Sequence, residues 1–191
     1  MNMEGQLGEL LSLLETSYSC KDTNKLQEIS QLINELSNNF DNYLELLFKG
    51  LSLSSFNNKQ MTLNLHKSLA INLKNVIMEK MLSLKEEQIL NILQRIFILF
   101  FSEKINPNLL NESIINIFEN IITSLSSLDS IKSQGENLFK LLTQAITSEP
   151  ALSDNFINKA KIVVKFCKGL FGSNIINKDN YAKIINDCYI R

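Results

Sequence analysis

A chain of 191 residues, 45% of them hydrophobic, is long enough to bury one sizeable core. Two prolines and six glycines are too few for the frequent turns of a β-rich fold, and a net charge of −1 gives no dominant basic or acidic character. Three widely spaced cysteines, Cys20, Cys167 and Cys188, form neither a disulfide framework nor a zinc pattern and point to a reducing compartment.

Apolar residues recur at three- and four-residue spacing almost throughout, which predicts nine helices. The first covers about 3–19, with Leu7, Leu10, Leu11, Leu14 and Tyr18 on one face. The second, about 22–37, starts at Asp22 or Thr23 as N-cap and uses Leu26, Ile29, Leu32, Ile33 and Leu36. The third, about 41–53, carries Tyr43, Leu44, Leu47 and Leu51, and the polar cluster Ser54–Asn58 breaks the pattern.

The fourth helix, about 58–82, holds the stripe Leu65, Leu69, Leu73, Val76 and Ile77. The fifth, about 85–102, opens with Lys85-Glu86-Glu87 and then runs apolar on nearly every side from Ile89 to Phe101, so it needs cover on both flanks. That run contains Gln94 and Arg95 and is too short to span a bilayer, so no membrane insertion is expected. Asn106-Pro107 opens the sixth helix, about 107–127, as cap and first helical residue. The seventh covers about 130–147 and stops at Glu149-Pro150. The eighth, about 153–171, ends near Gly169 or Gly172, and the ninth covers about 177–189.

Charge is uneven along the chain. Residues 1–50 carry 8 acidic and 3 basic groups, residues 151–191 carry 3 acidic and 7 basic. Lys159, Lys161, Lys165, Lys168, Lys178, Lys183 and Arg191 make up the basic end, with Lys161, Lys165 and Lys168 on one helical face. That spacing admits an acidic partner, while a solvated face is the simpler reading; a nucleic-acid surface would need these cations on one face with aromatics interleaved, and nucleic acid is not the expected partner.

His66 is the only histidine, which excludes a His–His metal pair. A dyad with Cys20, Cys167 or Cys188 lacks any local context, and a surface or packing histidine is the expectation. Glu86, Glu87 and Asp41 suit helix N-termini, where carboxylates complement the dipole. No glycine spacing fits a phosphate loop, and there is no Glu-x-x-His pair for a di-iron bundle. No catalytic, cofactor or metal residue is therefore nominated, and a non-enzymatic chain is expected.

The string Ala70-Ile71-Asn72-Leu73-Lys74-Asn75-Val76-Ile77, the helices from Leu10 through Leu53 before it, and the acidic start Leu84-Lys85-Glu86-Glu87-Gln88-Ile89 after it resemble the N-terminal repeats of the importin-β (karyopherin-β) superfamily. The resemblance covers roughly residues 7–101; Met81-Leu82 stand where that family often has a tryptophan. It implies a transport receptor's helical repeats, binding to the GTP-loaded small GTPase Ran, and transient contact with phenylalanine-glycine nucleoporins. It carries over no individual binding residue.

Helix pairs about 40 residues apart fit HEAT-type repeats. The expectation is an all-α, HEAT/armadillo-like right-handed solenoid of about nine helices, with a compact helical bundle as the alternative. It is taken as a single domain over 1–191, with importin-β-like repeats over 1–101 and further repeats over 102–191. Its expected work is protein binding in nucleocytoplasmic transport, in cytoplasm and nucleus, through grooves that accept apolar side chains. A scaffold subunit of a larger assembly is the alternative.

Overall fold

The structure is a computed structural model that describes residues 2–53, 59–101, 106–147 and 154–189. Among the described residues the chain is all-α, with nine helices and no strand: α1 (Met3–Ser19), α2 (Thr23–Ser37), α3 (Phe40–Ser52), α4 (Lys59–Lys80), α5 (Glu86–Phe101), α6 (Glu112–Ser126), α7 (Gly135–Thr147), α8 (Asp154–Gly172) and α9 (Lys178–Tyr189). The expected break at Ser54–Asn58 and the expected stop at Glu149-Pro150 lie outside the described residues. No helix among the described residues is long and apolar enough to cross a membrane.

Asparagine and aspartate side chains start many of these elements. Asn2 accepts from the Gly5 N–H, Asp22 from Asn24 and Lys25, Asn39 from Asn42, and Asn177 from Asn180. Each such cap satisfies an orphan donor and is worth about 1 kcal/mol. The second helix thus starts at Asp22, one of the two caps expected for it.

Three expected helices are shorter than their periodicity suggests, because a 3-10 turn takes up one end. Met81–Ser83 follows α4, Pro107–Leu110 precedes α6, and Asp129–Gln134 precedes α7. Asn106-Pro107 therefore opens the 3-10 turn, and Asn111 accepts from the Ser113 N–H at the start of α6 itself. The end of α8 falls at Gly172, one of the two glycines near which it was expected, but its left-handed cap lies beyond them. Neither Gly169 nor Gly172 is its left-handed cap: Asn174 takes φ 56°, Ile175 N–H donates to the Leu170 carbonyl at 2.9 Å, and Asn174 N–H to that of Phe171 at 3.0 Å. This is a Schellman closure with asparagine at the left-handed position. Gly169 instead allows close packing, since a Cβ there would lie 2.6 Å from Thr123 Oγ1 on α6.

The contacts sort into two compact units, Met1–Glu79 with Asn106–Ile114, and Lys80–Ile105 with Ile115–Arg191. In the first, α3 buries Tyr43, Leu44, Leu46, Leu47, Phe48 and Leu51, and the whole α4 stripe Leu65, Leu69, Leu73, Val76 and Ile77 is buried with them. Gly50 lets the two helices approach, for a Cβ on it would meet Leu69 at 2.9 Å. The Tyr43 hydroxyl donates to Asn72 at 3.2 Å, and burial pushes its ionisation up to about 12.

The second unit is built on an aromatic cluster. Phe100 of α5 meets Phe118 of α6 edge-on at 4.9 Å and Phe166 of α8 at 5.3 Å, and Phe166 also contacts Phe97 and Phe101. Such tilted pairs add about 0.5–1.5 kcal/mol each beyond area burial. Ile92, Leu93, Ile96 and Phe100 of α5 are covered. The fifth helix was expected to need cover on both flanks; of its apolar residues Leu90 and Phe101 are half-buried and Ile98 remains 66% exposed.

Candidate functional site

A recess lies in the second unit, between side chains of α5 and α7. Gln94, Phe97, Ile98 and Phe101 line one wall, at the i, i+3, i+4, i+7 spacing of a single helix face. Leu141, Gln144 and Ala145 line the other at i, i+3, i+4. The cavity measures about 460 Å³, within the range typical of binding clefts. Its floor is fixed, because Phe97 is 4% exposed and rests on Phe166, with ring centroids 6.2 Å apart. Its rim is open, because Ile98, Gln94 and Gln144 are exposed.

The walls run in the same direction. Gln134, just before α7, donates to Glu86 Oε1 at 3.0 Å at the start of α5, while the recess joins the C-terminal halves of both helices. Lys159 of α8 supports the far end: its Nζ donates to the Phe101 carbonyl at 3.4 Å, covering one of the oxygens that an α-helix leaves unpaired at its last turn.

Lys159 is thereby removed from the basic surface expected of it, being only 2% exposed. Phe156, Ala160, Val163, Phe166 and Cys167 are all buried on the same stripe of α8. Lysine's aliphatic stem belongs on that stripe as its spacing dictates. Lys161 and Lys168 are exposed, and Lys165 is half-buried with its Nζ on Asn116 Oδ1 at 2.6 Å, so these three do share the outer face. Lys178 and Lys183 are exposed on α9; Arg191 lies outside the described residues.

The other nominated residues are accounted for by the fold. His66 is fully buried in the first unit, as a packing histidine. Its Nδ1 lies 2.7 Å from the Thr62 carbonyl, which can only accept, so Nδ1 carries a proton. Its Nε2 lies 2.8 Å from both the Leu53 carbonyl and Asn106 Nδ2, so both ring nitrogens are used inside the fold. Asn106 also donates to the carbonyls of Leu53 at 2.7 Å and Leu51 at 3.2 Å, tying the 3-10 turn to the end of α3. Sequence reasoning saw Asn106 only as a cap and missed this polar cluster, whose members stand 40 positions apart.

Cys20 is half-buried, while Cys167 and Cys188 are buried free thiols. Burial first, then the neighbouring Cys188, pushes Cys167 up to about 12; burial, then Asp187, pushes Cys188 up to about 11. Both thiols stay protonated at neutral pH, the weakly nucleophilic form. Glu86 and Glu87 lie in the first turn of α5, and Asp41 in that of α3. Among the described residues no group of three or more His, Cys, Asp or Glu is placed to hold a metal ion.

No family model, curated protein or solved structure matches the chain. The groove was not foreseen: Ile98 and Phe101 belong to the continuous apolar run of α5, and only the placement of the neighbouring helices leaves Ile98 exposed and Phe101 half-buried.

Proposed function

We infer that this chain is a non-enzymatic, importin-β-like protein-binding module of helical repeats, arranged as a HEAT-like solenoid, that acts in nucleocytoplasmic transport. The observation that carries the reading is the α5–α7 groove, an apolar recess between two helices running in the same direction. Parallel helices two positions apart in the chain are what stacked helical hairpins produce, and the surfaces of such stacks bind proteins. Apolar partner side chains would enter the groove while charged edges set their orientation. The family resemblance over residues 7–101 supplies the partner classes, the GTP-loaded small GTPase Ran and phenylalanine-glycine nucleoporins, and with them a cytoplasmic and nuclear location.

A pull-down with Ran tests the transport reading. Retention of GTP-loaded Ran above the GDP-loaded control supports it, and equal retention of the two forms sinks it. A scaffold role in a larger assembly is the second reading. In it, Leu82 and Tyr189, which are 90% and 77% exposed, would be covered by neighbouring subunits. A stable multi-subunit complex on native purification would select it.

A further inference from the structure

We propose that α2 pairs with the α2 of a second copy of this chain, antiparallel about a two-fold axis. Incomplete burial is the first argument. Of the apolar residues on α2, Leu26, Ile29, Leu32, Ile33 and Leu36, only Ile29 is buried; Leu26, Ile33 and Leu36 are half-buried and Leu32 is 40% exposed. The α4 stripe in the same unit is buried at every position, whereas packing on α1 and α3 leaves one flank of α2 open. Lys25, Glu28, Leu32 and Glu35 fall on that flank at i, i+3, i+7 and i+10, and all four are exposed.

Charge names the occupant. Lys25 stands in the first turn of α2 and Glu35 in the last, so each sits at the helix end whose dipole disfavours it. The cap Asp22 aside, α2 has no acid in its first turn and no base in its last to offset them. Among the described residues neither side chain forms an ion pair within the chain. An antiparallel copy of α2 corrects both faults together. With the two-fold axis level with Ser30, five positions after Lys25 and five before Glu35, Lys25 of each copy meets Glu35 of the other. Each charge then also faces the end of the opposite helix that attracts it. A parallel pairing would instead set lysine on lysine and glutamate on glutamate. The two Leu32 side chains come near the centre of the contact, where water is most fully excluded. Fifteen residues make a helix about 22 Å long, and Glu28 beside Leu32 keeps the contact from being wholly apolar, so the interface is small and the dimer weak.

The test is sedimentation velocity on the full chain, from about 5 µM to about 1 mM. A monomer–dimer equilibrium is expected, with a dissociation constant on the order of 100 µM. Leu32→Asp should weaken it about tenfold or more with an unchanged circular-dichroism spectrum. Lys25→Glu and Glu35→Lys should each weaken the dimer about tenfold at low salt. Both should leave the melting temperature of the monomer unchanged or raised, because each puts the favoured charge at its own helix end. Mixing these two variants in equal amounts should bring the dimer back, since every contact between position 25 of one and position 35 of the other then joins opposite charges. A monomer at every concentration would assign the open flank to a different protein and overturn the inference. A dimer indifferent to Leu32→Asp, or a mixture that stays monomeric, would overturn it equally. Assembly that grows past the dimer would do the same, because a closed two-fold contact cannot extend.

Discussion

Replacing Asn106 by alanine isolates the polar cluster that ties the 3-10 turn Pro107–Leu110 to α3 and α4. The wild-type amide has two N–H groups and three acceptors within reach: Leu53 O at 2.7 Å, His66 Nε2 at 2.8 Å and Leu51 O at 3.2 Å. Two good bonds are therefore the most it can make at once, worth about 1 kcal/mol each. On the other side Oδ1 accepts from the Asn108 N–H at 3.1 Å and from Asn108 Nδ2 at 3.0 Å, a capping role worth about another 1 kcal/mol. Asn106 is 8% exposed and His66 fully buried, so water cannot simply replace the lost donor. The expected loss is about 2–4 kcal/mol.

Asn106→Asp keeps the shape but puts a carboxylate oxygen where the donor stood, facing the Leu53 carbonyl, and should lose more than alanine. Urea unfolding followed by circular dichroism gives the global loss. Hydrogen exchange at the end of α3, through α4 and at Asn108–Asn111 shows whether opening is local to that cluster. A loss under about 0.5 kcal/mol for alanine, or aspartate tolerated as well as asparagine, would refute the reasoning.

Three further outcomes follow from buried groups. Ser126 Oγ is buried without a hydrogen-bond partner among the described residues, so Ser126→Ala should leave the melting temperature unchanged or raise it; a loss above about 1 kcal/mol would contradict this. Lys159→Met keeps the packed stem and should lose about 1 kcal/mol, whereas Lys159→Ala, which opens a cavity beside Phe101, should lose about 2–4 kcal/mol by chemical denaturation. Cys167, Cys188 and Tyr43 all ionise at higher pH in the folded chain than in the unfolded one. Their contribution is complete below the unfolded thiol value of about 8.5 and is lost as pH rises toward about 11 and 12, because the unfolded chain deprotonates first. The urea midpoint under reducing conditions should thus fall steadily above about pH 9, and a flat profile to pH 11 would contradict it.

The helices were legible because a packed helix must place apolar residues every three or four positions. The α4 stripe Leu65–Ile77 shows it, being buried at every position named from spacing. What spacing cannot give is which of two apolar faces a neighbour covers. In α5 nearly every position is apolar, so Ile98 and Phe100 look alike in sequence; only the placement of Phe118 and Phe166 buries one and leaves the other at the groove. Lys159 was readable in principle, since it falls on the stripe of Phe156, Val163 and Phe166, yet its charge suggested a surface. The His66–Asn106 contact joins residues whose spacing carries no periodic signal, and Asn174 holds a left-handed position for which glycine was the obvious sequence cue.

The claim that the α5–α7 groove is a working binding surface is tested most directly by the alkylation rate of an Ile98→Cys variant, with and without a helical peptide carrying Leu and Phe along one face. The account predicts rapid labelling of the free protein at position 98, slowed about tenfold or more by saturating peptide, while labelling at Cys20 is unchanged. Labelling at position 98 that is equally fast in the presence of bound peptide would contradict it.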